Sequence, residues 1–123
     1  MTRRNRLSRS RDFAAVYRNG RSVSTRYLTL YSFTRPDGEG VGEPRLGLAV
    51  SRQVGGAAVR NRVKRQLRVC FDEFRVRLAP DRDYVLVVRP GLAEASETRG
   101  FDWLRERVAE VLGLAGAVPE GSA

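Results

Sequence analysis

The sequence predicts an α+β protein built as an α/β sandwich, one small sheet with helices packed mainly on one side. Three observations predict it. Val59, Val63, Leu67 and Phe71 recur every four residues, and Phe74 continues the stripe, which fits the 3.6-residue helical period and no strand. Residues 26–34 and 45–52 alternate in character, as half-buried strands do. Residues 84–89 open on the dense apolar run Tyr-Val-Leu-Val-Val, suited to a sheet interior. In chain order these give helix, strands, basic helix, strand, helix, and the layers follow from each element needing to bury its apolar side.

The elements follow in order. Residues 1–9 carry Arg3, Arg4, Arg6 and Arg9, no acid and little to bury, and read as a mobile basic arm. Ser10 is placed to cap a helix from Arg11, with Asp12 in the favourable first turn. Phe13, Val16 and Tyr17 share one face of it, and Gly20 is its stop. In the strand 26–34, Leu28 and Leu30 point one way while Tyr27, Thr29, Tyr31 and Phe33 point the other. Residues 35–40 are a turn or flexible loop. The strand 45–52 has a large face, Leu46, Leu48 and Val50, and a small one, Gly47, Ala49 and Ser51. Val54-Gly55-Gly56-Ala57-Ala58 leads into the basic helix, predicted to run to about Leu78 and to be ended by Pro80. Pro90-Gly91 ends the last strand. A final helix is predicted over 97–112, with Phe101, Leu104, Val108 and Val111 inward. The organisation is then an arm at 1–9, one domain at 10–113 and a Gly/Ala/Pro-rich disordered tail at 114–123.

A chain of 123 residues forms one domain with a real core. Its formal charge is +9. Residues 1–68 hold 16 basic and 4 acidic side chains, a net of +12; residues 69–123 hold 7 and 10, a net of −3. The basic surface therefore belongs to the first half. It is densest where Arg60, Arg62, Lys64, Arg65 and Arg68 fall within nine residues, with no acid between Glu43 and Asp72. Solvated helical faces usually mix signs through i,i+4 pairs. A one-sign row of guanidinium groups suits a polyphosphate backbone. Of the 23 cations 22 are Arg, which a GC-rich genome explains, but nucleotide bias does not explain the clustering. No apolar run approaches the roughly 20 residues that span a bilayer, and no signal-peptide core follows the basic start, so the expected site is cytoplasmic and no membrane partner is predicted.

Candidate chemistry is sparse. There is no His, and Cys70 is alone, on the apolar side of the basic helix. That removes an internal disulfide, Ser-His and Cys-His nucleophiles and a zinc site, and makes Cys70 a buried structural thiol. The Gly55-Gly56 pair lacks P-loop spacing, though it leaves backbone N–H groups near a helix N-terminus, where phosphate can bind. The aromatic face of strand 26–34 and the small face of strand 45–52 admit two readings. They form either a surface on which a ligand stacks close to the backbone, or a second core layer under the first helix. Both hold if the helix covers the face only partly.

The string Val59-Arg60-Asn61-Arg62-Val63-Lys64-Arg65-Gln66-Leu67-Arg68, preceded by Gly47-Leu48-Ala49-Val50-Ser51-Arg52, resembles the bacterial ribonuclease P protein subunit. Asn5-Arg6-Leu7, Asp12-Phe13, Val16-Tyr17, Gly20 and Tyr31 fall at family-like intervals, so the resemblance spans roughly residues 5–89. It implies an αβββαβα order with an unusual left-handed βαβ crossover, the architecture of the second domain of ribosomal protein S5, against the usual right-handed rule. It implies that Arg60, Asn61, Arg62, Lys64, Arg65 and Arg68 lie against the catalytic RNA. It implies a cleft for the 5′ leader of precursor tRNA, formed by Phe13, Tyr17, Thr29, Tyr31 and Ser51 with Arg52 at the rim. Thr29, where relatives often carry an aliphatic residue, and the Gly-Gly-Ala approach to the helix depart from the family pattern.

On this resemblance the partners are ribonuclease P RNA and precursor tRNA, with no dedicated protein partner. The RNA carries the chemistry and places the Mg²⁺ ions, and none is held stably by the protein alone. Two rivals stand beside it. A general RNA-binding or ribosome-associated module would ignore a 5′ leader, and a protein-only nuclease would cleave with metal and no RNA. The absence of a compact acidic pattern on the basic half disfavours the second.

Overall fold

The computed structural model describes residues 6–7, 9–36 and 43–116. Its elements are α1 (Ser10–Asn19), β1 (Arg21–Ser24), β2 (Leu28–Thr34), β3 (Arg45–Ala49), α2 (Ala57–Phe74), a 3₁₀ turn (Arg75–Arg77), β4 (Arg82–Val88), α3 (Leu92–Arg99) and α4 (Phe101–Leu114). The strands form one sheet in the order β1-β2-β4-β3. β2 pairs antiparallel with both β1 and β4, whereas β3 and β4, joined through α2, run parallel.

Register makes the two faces different. Leu28 lies opposite Val88, Leu30 opposite Leu86, Leu86 opposite Leu48, and Tyr84 opposite Leu46. This face packs with Val63, Leu67, Cys70, Phe71 and Phe74 of α2 and Leu104, Val108, Val111 and Leu112 of α4 into the main core. Each such side chain contributes roughly 1.5–3 kcal/mol by leaving water. The other face carries Tyr31, Val85 and Gly47 in one row, and Thr29, Val87 and Ala49 in the next. Among the described residues, α1 is the one helix that packs there, through Val16 and Phe13, joined by Leu7 of the N-terminal segment, with Tyr31, Phe33, Val85 and Val87 around them.

Several expectations are corrected. β1 has no strand signal in the sequence, because its sole apolar residue is Val23; pairing with β2 holds it in the sheet. Tyr27 precedes β2 and packs on the main-core side, its ring 5.0 Å from that of Trp103. Ser10 begins α1, whose N-cap is Arg9 with no side-chain bond. β3 stops at Ala49, where its pairing with β4 stops, not at Arg52. α2 ends at Phe74, not near Leu78. The C-terminal segment is two helices: α3 starts directly after Gly91, and Gly100, at φ +93°, breaks the helix because other residues resist that conformation. Phe101, expected inward, is exposed. Within the expected mobile arm, Leu7 is buried and its N–H donates to the Leu46 carbonyl at 2.8 Å, and Arg6 bridges Leu46 in parallel along the outer edge of β3. Arg3, Arg4 and the tail from residue 117 lie outside the described residues. Leu114 closes α4, and Ala115 still packs on the core.

Arg35, expected in a flexible loop, is buried instead. Its Nη1 donates to Asp83 Oδ1 at 2.6 Å, and Nη1 and Nη2 also reach the carbonyls of Arg82, Glu43 and Pro80. Asp83, itself buried, accepts from Arg45 Nε at 2.8 Å and Nη2 at 2.7 Å. Two arginines on one carboxylate thus tie the end of β2 to the starts of β3 and β4, opposite the end of the sheet where Ala49 and Val88 point.

A candidate RNA interface

Two surfaces bring together the residues singled out from sequence. The first is the half-covered face under α1. Phe13 and Tyr17 stand one helical turn apart, their ring centroids 6.3 Å from each other. Tyr17 meets Tyr31 of β2 edge-on at 4.9 Å. Its hydroxyl is pushed above the usual phenol range, first by burial and then by Tyr31, so it stays an O–H donor at neutral pH. The other flank of the tyrosine remains open, with Tyr17 42% exposed. Phe13 can approach β3 this closely only because residue 47 is Gly, since a Cβ there would collide with the ring.

Beyond the row that α1 covers, the next row is left partly open. It reads Ser24, Thr29, Val87, Ala49 across the four strands, with Thr29, Val87 and Ala49 half-buried. Ser24 Oγ and Thr29 Oγ1 share a hydrogen bond at 2.9 Å. Ser51 and Arg52, both exposed, follow the end of β3 and form the rim. The result is a cleft with an apolar floor, an aromatic wall and a cationic lip. The floor residue Val87 has no signal in the sequence, because β4 is apolar on both faces and its alternation carries no information.

The second surface is α2. Val63 and Leu67 are fully buried, which turns Asn61 and Arg65 outward and leaves Arg60, Arg62, Lys64 and Arg68 half-exposed along its flanks. Among the described residues, Arg62 has one carboxylate, Glu97 Oε2 at 3.9 Å, and Arg60, Lys64, Arg65 and Arg68 have none within ion-pair distance. Arg60 Nε is buried without an acceptor among them. The Arg68 guanidinium is held below its usual range, by partial burial first and by the positive charge of Arg6 second. Arg6 therefore extends the basic surface from the edge of β3 onto α2, and Arg9 is exposed nearby in sequence at the head of α1.

The surfaces meet at the end of the sheet where β3 and β4 terminate. Arg52 and the turn that follows it lead into α2. Arg89, just past β4, donates Nη1 to the Thr25 carbonyl at 2.6 Å. Among the described residues no three His, Cys, Asp or Glu side chains gather into a set able to hold a metal ion. Cys70 is buried and its thiol is pushed up to about 12, chiefly by burial and then by Glu73. No described helix is long and apolar enough to cross a membrane.

Comparison with known proteins decides the family, since the ribonuclease P family model matches residues 1–112. The chain belongs to the ribonuclease P protein family. The ribonuclease P protein component of Geobacillus kaustophilus is 32% identical over 123 residues, covering 98% of this chain and 94% of that protein. That of Shouchella clausii is 42% identical over 89 residues, covering 72% and 70%. Among solved structures, the RNase P protein of Thermotoga maritima matches with a TM-score of 0.76 at 30% identity, over 87% of this chain and 94% of that one. The Staphylococcus aureus RNase P protein matches with a TM-score of 0.81, over 94% and 98%, and at 23% identity shows the shared fold. Membership makes this chain a protein component of an endoribonuclease concerned with tRNA processing. The α2 motif and the α1 cleft lie within the matched span.

Proposed function

We propose that the chain is the protein subunit of a cytoplasmic ribonuclease P, that α2 binds the RNA subunit, and that the cleft under α1 binds the 5′ leader of precursor tRNA. The observation that carries this is the pairing of two unlike surfaces at one end of the sheet. One is a cationic helix almost without carboxylate partners; the other is a half-open aromatic cleft ending at Arg52. The first suits a folded polyphosphate surface and the second a single strand.

In the reaction, water attacks the phosphorus at the leader–tRNA junction and the bond to the leader's terminal 3′ oxygen breaks. The leader leaves with a 3′-hydroxyl, and the tRNA keeps a 5′-phosphate. The RNA subunit carries this step and holds the Mg²⁺; the protein supplies no His, and its described residues offer no metal-binding cluster. Its own residues bind. Arg60, Arg62, Lys64, Arg65 and Arg68 neutralise crowded phosphates, so the complex works at lower Mg²⁺. Phe13, Tyr17 and Tyr31 offer ring surface and Arg52 a phosphate contact to the leader, which distinguishes precursor from product because mature tRNA has no leader.

The test is cleavage of 5′-labelled precursor tRNA at low Mg²⁺ by a bacterial ribonuclease P RNA, with this protein, without it, and by the protein alone. Cleavage at the mature 5′ end only when both are present is expected. No stimulation would favour a general RNA-binding protein, and cleavage by the protein alone would place the chemistry in the chain.

A further inference from the structure

The cleft does not end at the sheet. Ser24, the last residue of its open row, also lines a separate open pocket of about 530 Å³, together with Arg26, Tyr27, Arg99, Trp103 and Arg107. Here the β1–β2 turn faces α4. Trp103 is met edge-on by Tyr27, and the guanidinium carbons of Arg107 and Arg99 stand 5.5 Å and 5.9 Å from its ring centroid. Arg26 stands 5.3 Å from the Tyr27 centroid. Two aromatic rings thus hold three guanidinium groups around one hollow, which limits the side-chain entropy those arginines would lose on binding an anion. Arg26 and Arg99 have no carboxylate within ion-pair distance among the described residues, whereas Arg107 has Glu106 Oε2 at 3.7 Å and Glu110 Oε1 at 3.9 Å, of which Glu110 lines the pocket.

We infer that this pocket is a second station for the leader, where nucleotides upstream of those in the cleft are held by Arg26, Arg99 and Arg107 around Trp103. The inference rests on the cleft binding the leader. A strand entering at Arg52 and crossing the row Ala49, Val87, Thr29, Ser24 spans three strand spacings, about 14 Å. It emerges at Ser24, on the lip of the pocket, and the next phosphates meet guanidiniums already in place. The fit is to a single RNA strand, because the pocket joins a narrow cleft on one side and offers both cation and ring.

The experiment measures holoenzyme affinity for precursor tRNAs whose leader is lengthened one nucleotide at a time, at several salt concentrations. Affinity is expected to rise in two steps, the second when the leader outgrows the cleft. Three phosphate contacts on a single strand add about 2 to the log–log salt slope, so a threefold drop in salt enlarges the long leader's advantage about tenfold. The variant Arg26→Ala/Arg99→Ala/Arg107→Ala should lose the second step and keep the first, which also shows that it folds. Arg18→Ala/Arg21→Ala/Arg82→Ala removes the same charge at the other end of the sheet and should keep both. Emission from Trp103, the chain's only Trp, should respond to long leaders and not to short ones. A plateau once the cleft is filled overturns the inference and leaves the cleft reading intact. So does a second step that survives the first variant or falls equally in the control. Affinity independent of leader at every length overturns both.

Discussion

The ring of Phe13 rests on the bare backbone of Gly47: a Cβ at position 47 would stand 2.6 Å from Phe13 Cζ and 2.8 Å from Cε1. Contact this close between helix and sheet sets how far α1 lies from the floor of the cleft. Gly47→Ala should therefore push Phe13 away, at a cost of about 1–3 kcal/mol from overpacking. Phe13→Leu in the same chain should recover part of it. Urea denaturation of the two variants checks this, and equal stability of wild type and Gly47→Ala would show that the ring is free to move aside.

Removing cations from α2 should act on the RNA subunit and spare the leader. For Arg60→Ala/Arg62→Ala/Arg65→Ala the salt slope of RNA-subunit binding should fall by roughly 2–3, at about 0.7–0.9 for each phosphate no longer neutralised. Once saturated with RNA, the variant should still prefer precursor to mature tRNA. Filter binding against salt and a precursor-to-product affinity ratio separate the two effects.

Tyr31 should show the opposite pattern. Tyr31→Ala removes the partner of the Tyr17 ring and part of the cleft wall, and should weaken leader-bearing substrate by about 1–3 kcal/mol if bases stack there. Affinity for the RNA subunit should not change. Identical defects from the α2 and cleft variants would mean that one surface, not two, receives RNA.

Asp83 anchors stability at the far end of the sheet. Asp83→Ala leaves Arg35 buried without its carboxylate, and breaking a buried pair in this way costs about 3–5 kcal/mol. Replacing Arg35 and Asp83 together with apolar residues should cost less, since the fully buried guanidinium goes with its carboxylate and only the partly exposed Arg45 loses its bonds to Asp83. Thermal and urea unfolding of single and double variants measure the difference.

Cys70 gives stability an alkaline limb. The thiol ionises near 9.0 when exposed and is pushed up to about 12 in the fold. Between those values the unfolded chain holds fewer protons than the folded one, so stability is full below pH 9 and falls as pH rises toward 12. Tyr84, also raised by burial, adds to the same limb. Cys70→Ala should start less stable, because of the cavity, but lose less across that window. In the native protein, thiol reagents should label Cys70 only at the rate of unfolding.

Much of this was legible because periodicity is local. The stripe Val59, Val63, Leu67 predicts both the core side of α2 and, by subtraction, its cationic side, and the structure buries Val63 and Leu67 completely. The aromatic and small strand faces do meet, as Tyr31 and Gly47 on either side of Val85. What was not legible depends on pairing between distant segments. β1 exists because β2 lies beside it. Val87 is a cleft residue only because β4 sits between β2 and β3. Arg35 reads as loop until Asp83, 48 residues on, reaches it. The helix break at Gly100 was the exception, since a glycine inside a helical pattern is a local signal that the apolar stripe outweighed.

The short pairing of Arg6 and Leu7 with Leu46 has a consequence for how the molecule behaves before it meets RNA. A sheet has two outer strands, and each presents unpaired N–H and C=O groups that can recruit a second chain. Here β1 is only four residues long and starts on an arginine. Along β3, the N-terminal segment occupies the outer edge at Leu46 with a charged residue facing solvent. Both outer strands are thus blunted by arginines, so the charge that would draw the protein to nucleic acid also guards it against joining copies of itself edge to edge.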